Sequence, residues 1–176
     1  MKKNCNIGMC NILPKQGGET MNASDVFQMM DHKYALFGLF FAFHNRLQAA
    51  GDSFYEEITC KQFFLLACMN LYQEETPTAN ELAKTMGCSR QNVKEILNSL
   101  EKKQLIRLET DSTDKRKKRV YLTEQAQLMG AKYQQRETDF LKYLYEGVSE
   151  EEVDSAYNII SKLEDNLKRM ERDFKI

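Results

Sequence analysis

The sequence predicts a mainly α-helical chain with one small β-hairpin, and three observations predict it. Ser or Thr followed three residues later by Glu or Gln, a reciprocal capping pattern that opens helices, occurs at Thr59/Gln62, Thr78/Glu81 and Ser149/Glu152. Over most of the chain apolar residues recur at three- and four-residue steps, the period of a helix face. Only Leu105–Thr110 and Arg119–Leu122 alternate apolar with polar residues, as strands do, and the polar, turn-prone run Asp111–Lys118 joins them into a hairpin with a basic tip.

Taken in order, residues 1–22 cluster Asn, Gly and Pro without periodicity and are expected to be a disordered extension, or to precede a true start at Met21. Residues 23–57 hold a long helix from Asp25 to about Ala50 and a connection. Its apolar positions Val26, Met30, Phe37, Phe40, Phe41 and Leu47 are too many for one narrow stripe, so it needs burial on more than one side, and Gly51 with Asp52 is expected to end it. Residues 58–123 read as a compact lobe, beginning with a helix from Thr59 through Phe63, Leu66, Ala67 and Leu71. In residues 124–176 Thr123 caps a helix carrying Leu128, Ala131, Phe140, Leu141 and Leu144, which stops near Gly147. The last helix, from Glu150, aligns Val153, Tyr157, Ile160, Leu163, Leu167, Met170 and Phe174 into a seam that fits another helix of the same chain or of a second one.

Bulk properties narrow the function. No apolar run approaches the roughly 18 residues of a membrane span, and five scattered cysteines do not make a disulfide framework, so a soluble protein of a reducing cytoplasm with free thiols is expected. Net charge is −1, yet Pro77–Tyr121 holds 11 Lys and Arg against 6 Asp and Glu, a basic block in an otherwise acidic chain and an electrostatic footprint for a polyanion. There is no glycine-rich phosphate loop, nucleophile elbow or paired acid–base site, so neither an enzyme nor a cofactor is expected. His32 and His44 would face about 120° apart on a helix, which gives no metal cluster.

The specific signal lies in Thr78–Leu100. A helix-turn-helix needs apolar residues where both helices meet the core, a small residue at their crossing and a residue tolerant of left-handed backbone in the turn. Leu82, Met86, Val93 and Ile96 supply the first, Ala83 the second and Gly87 the third. The second helix then turns Val93, Ile96, Leu97 and Leu100 inward and Arg90, Gln91, Asn92, Lys94 and Asn98 outward. Gln and Asn match adenine edges and Arg matches guanine, so Arg90, Gln91 and Asn92 are candidates for readout in a major groove and Ser89 and Lys94 for positioning on the backbone, with Thr78 and Asn98 also among the expected DNA-binding residues. The following hairpin is a wing. Its run Lys115, Arg116, Lys117, Lys118 and Arg119 suits phosphates and a minor groove, with Asp114 bracing one cation. The expected fold is therefore a winged helix-turn-helix plus dimerisation helices. A protein-interaction module on the same fold is the alternative, separable because only phosphate binding weakens steeply with salt.

These residues resemble the multiple-antibiotic-resistance regulator (MarR) family of winged-helix transcription factors. The resemblance spans about Asp25–Phe174 and rests on Thr78–Leu100, on Asp111–Arg116 as an Asp-x-x-Asp-x-Arg wing, and on Leu122-Thr123-Glu124. It departs at Gln104 and Ala126, where the family commonly has glycine. What the resemblance implies is a homodimer on double-stranded DNA at a palindromic site, repressing until a small aromatic or amphipathic effector, or an oxidant, releases it. It further implies a dimer interface at Val26, Met30, Tyr157, Ile160, Leu163, Leu167, Met170 and Phe174, and an effector pocket walled by Met30, Tyr34, Phe37, Phe41 and Phe64, residues that equally suit an ordinary core. Cys10, with Cys5 nearby, is the nearest analogue of a family redox cysteine, whereas Cys60, Cys68 and Cys88 read as structural.

Overall fold

A computed structural model describes residues 30–72 and 75–174. Val26, Cys5, Cys10 and the 1–22 segment lie outside the described residues. The chain divides into two compact units between Thr123 and Glu124.

In the first unit, helix α1 spans His32–Phe54. It does not run continuously from Asp25: Asp31 is non-helical and its carboxylate accepts the Lys33 amide at 3.0 Å, so the helix is capped there. Nor do Gly51 and Asp52 end it. Gly51 is buried inside the helix, and a Cβ there would lie 2.5 Å from Cys60 Sγ. The glycine is thus a crossing point that lets α1 touch the start of the next helix, at the roughly 1 kcal/mol cost of a glycine in a helix interior. Asp52 accepts the Cys60 amide at 2.7 Å from the same turn.

Helix α2 spans Cys60–Met69 and begins with the expected capping box of Thr59 and Gln62. Of the expected line through Phe63, Leu66, Ala67 and Leu71 it buries Leu66 and half-buries Phe63 and Ala67, Leu65, Cys68 and Met69 complete its buried side, and Leu71 lies exposed beyond the helix end. Helices α3, Ala79–Thr85, and α4, Arg90–Lys102, follow. Strand β1, Ile106–Thr110, pairs antiparallel with β2, Lys118–Leu122, in the register Ile106 opposite Leu122 and Thr110 opposite Lys118. A further bridge joins Thr78 to Arg119, stitching the hairpin to the entry of α3.

Leu65, Leu82, Val93, Leu100 and Val120 are fully buried and close this core. Each withdraws a side chain worth about 1.5–3 kcal/mol of hydrophobic stabilisation. They come from α2, α3, α4 and β2, so the helix-turn-helix and the wing share one core.

The second unit holds α5, Glu124–Leu144, and α6, Glu150–Phe174. Ala126, Met129 and Tyr133 on α5 are buried at helical spacing. Gly147 takes φ +78° in the connection, and Ser149 with Glu152 makes the third expected capping box, at 2.8 and 3.3 Å. Helix α6 buries none of its residues: the apolar positions Tyr157, Ile160, Leu163, Leu167, Met170 and Phe174 range from 37% exposed at Leu163 to 71% at Tyr157 and Phe174. Among the described residues no helix is long and apolar enough to cross a membrane.

Candidate nucleic-acid interface

The reading head is built from its caps outward. Thr78 accepts the Glu81 amide while Glu81 accepts the Thr78 amide at 2.7 Å, which sets the start of α3. The hydroxyl of Thr78 also donates to Glu81 at 2.8 Å, and these bonds with the backbone amide first and the hydroxyl second hold the Glu81 carboxyl below its ordinary range. Thr78 is buried. Its place among the expected DNA-contacting residues is therefore corrected: its hydroxyl is committed to the cap and does not belong to the exposed surface.

Helix α3 ends at a tight turn. Gly87 adopts φ +62°, its amide reaches Lys84 O at 3.2 Å and the Cys88 amide reaches back to Ala83 O at 3.1 Å, satisfying carbonyls the helix leaves open. The turn delivers Ser89 as the cap of α4, where its hydroxyl accepts the Asn92 amide at 3.2 Å. One side of α4 then buries Val93, Leu97 and Leu100, with Ile96 half-buried. The other exposes Arg90, Gln91, Asn92, Lys94 and Asn98. Gln91 donates to Glu95 at 3.0 Å, which orients its amide along the helix.

At the far end of α4 the chain reverses at Gln104, which takes φ +59° without being a glycine. The Leu105 amide bonds Leu100 O at 3.0 Å, and Thr123 donates to Gln104 O at 2.7 Å. The same turn is made as a glycine would make it, at about 1 kcal/mol of backbone strain.

The wing turn is organised by Asp111. One of its oxygens accepts the Thr113 hydroxyl at 2.6 Å and the amides of Thr113 and Asp114 at 2.8 and 2.9 Å; the other takes Arg119 Nε at 2.5 Å. These donors, led by the Thr113 hydroxyl and then the Asp114 amide, hold the Asp111 carboxyl far below the usual carboxylate range. Asp114 braces Arg116 at 3.2 Å and lies 4.0 Å from Lys117, and its own carboxyl is lowered first by the Arg116 side chain. Lys115, Arg116, Lys117 and Lys118 nevertheless face solvent, Arg116 with 91% of its side chain exposed.

Arg119 does not join them. Its side chain is only 16% exposed and is bonded to Asp111, to Thr76 O at 2.6 Å and to Glu75 at 2.9 Å. A charge run in sequence does not distinguish it from its four neighbours, because its partners Thr76 and Glu75 lie 43 and 44 positions upstream. A second tie was equally invisible: buried Gln62 donates to Ser99 at 2.8 Å and accepts from Lys103 at 3.1 Å, joining α2 to the end of α4.

Elsewhere, Tyr34, Phe37 and Phe41 on α1 and Phe64 on α2 are exposed, and Met30 is half-buried. One chain alone does not enclose a ligand with these side chains. Among the described residues no group of three or more His, Cys, Asp and Glu side chains is gathered as a metal site.

Two short helices around a left-handed glycine, the second exposing amide and cationic side chains and followed by a cationic hairpin on the same core, define a winged helix-turn-helix domain. Residues 58–118, from the approach to α2 to the first residue of β2, match the MarR family model, and this segment belongs to that family. The fold is shared with a MarR/EmrR family transcriptional regulator from Acinetobacter sp. ADP1, at TM-score 0.70 and 19% identity over 80% of this chain and 100% of that one. It is likewise shared with S. aureus MepR in its DNA complex, at TM-score 0.64 and 24% identity over 73% and 94% of the two chains. Bordetella bronchiseptica BpsR, whose DNA binding is regulated by 6-hydroxynicotinic acid, matches at TM-score 0.65 and 17% identity over 73% and 91%.

Proposed function

We propose that this chain is a sequence-specific DNA-binding transcriptional repressor that acts as a homodimer on a palindromic operator. The observation that carries the reading is the joint exposure of Arg90, Gln91, Asn92, Lys94 and Asn98 on α4 and of Lys115–Lys118 on a wing held to the same core. In this reading Arg90, Gln91 and Asn92 meet base edges in the major groove, Ser89 at the helix start and Lys94 meet phosphate, and the wing cations follow the adjacent minor groove. MepR bound to DNA supports it as a protein of the same fold.

The dimer is supported by the apolar seam of α6, which one chain leaves unburied. An effector site is assigned to Met30, Tyr34, Phe37, Phe41 and Phe64, completed by a second copy and suited to an aromatic or amphipathic molecule. The regulation of BpsR by an aromatic acid favours such a ligand. Release by an oxidant draws less support from the described cysteines, because burial first, and Asp52 or Cys88 second, pushes the Cys60 and Cys68 thiols up, away from the reactive thiolate.

The test is a binding titration against DNA from the chain's own upstream region. Arg90→Ala is expected to cost about 1–3 kcal/mol at its base and to relax specificity there, while Lys94→Ala weakens all sequences alike and lowers the salt slope by about one unit for each protomer. Binding that is indifferent to salt, or to a partner protein and no duplex, would overturn the reading.

A further inference from the structure

The guanidinium of Arg119 reaches three acceptors on two separate pieces of chain at once. Nε meets Asp111 at the mouth of the wing turn, while the two terminal nitrogens meet Thr76 O and the Glu75 carboxylate on the segment that leads into α3. Asp111 spends its second oxygen on the Thr113 and Asp114 amides, so a single carboxylate sets the turn that displays Lys115–Lys118. Backbone bonds run the same way: the Val120 amide reaches Pro77 O at 2.9 Å and the Asp111 amide reaches Lys117 O at 3.0 Å. The separation between the wing cations and the Arg90 end of α4 is therefore governed by how the hairpin is fastened to the entry of the helix-turn-helix.

We infer that Asp111 and Arg119 form a latch whose function is to position the wing, so that DNA affinity depends on both although neither is directed at DNA. The inference rests on the DNA-binding reading above. Both are positioning residues, and they can be told from contact residues by sign. Asp111→Asn removes a negative charge from a basic surface, which simple electrostatics expects to tighten DNA binding, whereas loss of the latch weakens it. Arg119→Lys keeps the charge but not the planar fork that serves three acceptors, so it behaves like Arg119→Gln.

The experiment uses the full chain and a fluorescent duplex that the wild type selects from a random-sequence pool, titrated over a salt series. For Asp111→Asn and Arg119→Lys the expected result is an affinity at least about tenfold lower and a salt slope reduced by more than the ~1.8 that one lost phosphate contact in each of two protomers explains, because several wing contacts go together. Lys117→Gln is the single-contact control. Amide exchange in the free protein should quicken at Lys117 and Val120 while Val93 and Leu97 stay protected. Asp111→Asn binding as tightly as wild type, or Arg119→Lys keeping both affinity and slope, would overturn the latch. So would weaker binding with an unchanged slope, since that reports fewer folded molecules. If the wild type selects no duplex, the DNA-binding reading itself fails, and wing exchange unaltered in Asp111→Asn then removes the latch independently.

Discussion

The reading lobe and the last helix handle apolar surface in opposite ways. In the lobe Leu65, Leu82, Val93, Leu100 and Val120 are sealed by one chain, whereas α6 carries as regular an apolar stripe and buries none of it. Periodicity alone does not separate the two, because a helix repeats every 3.6 residues whichever molecule it packs on. What separates them is closure: four elements converge on the lobe's core, while the stripe of α6 is offered outward.

The largest expected effect tests the closed side. Leu82→Ala removes a fully buried side chain at the crossing of α3 with the core and should cost about 2–5 kcal/mol in chemical denaturation, independent of protein concentration. Gln104→Gly should act in the other direction, stabilising the lobe by about 1 kcal/mol, because glycine adopts φ +59° without strain; no gain in denaturation midpoint would mean the turn tolerates its side chain freely. Leu167→Ala on α6 should change the stability of the dilute chain by less than about 0.5 kcal/mol, yet lower the sedimentation-measured dimer affinity; a large effect on the dilute chain would show the stripe to be internally packed. The last effect is read in the acid limb of unfolding. Asp111 has a folded-state pKa held below its ordinary 3.8, so its contribution to stability is complete above that value and drains away as pH falls beneath it toward the depressed value. Asp111→Asn should flatten acid unfolding of the lobe in that window, and an unchanged acid limb would remove the carboxylate from the account.

Much of this was legible in the residues. The three capping boxes, the left-handed turn at Gly87 and the hairpin all follow from local chemistry, where partners sit within a few positions of one another. What stayed hidden has distant partners. Gly51 reads locally as a helix stop, and only the Cys60 side chain pressed against it explains a helix that continues to Phe54. Arg119 reads as a fifth wing cation until Glu75 and Thr76 claim it. The exposed side chains of α4 were easier, since an amphipathic helix announces its outward face.

The amide of Gln62 holds Thr59, Ser99 and Lys103 together. α2 and α4 consequently cannot slide past each other without stripping a buried side chain of its partners. The Ser99–Lys103 end of α4 is thereby anchored to the first turn of α2 by a single side chain, so Gln62→Ala would uncouple two helices with one substitution.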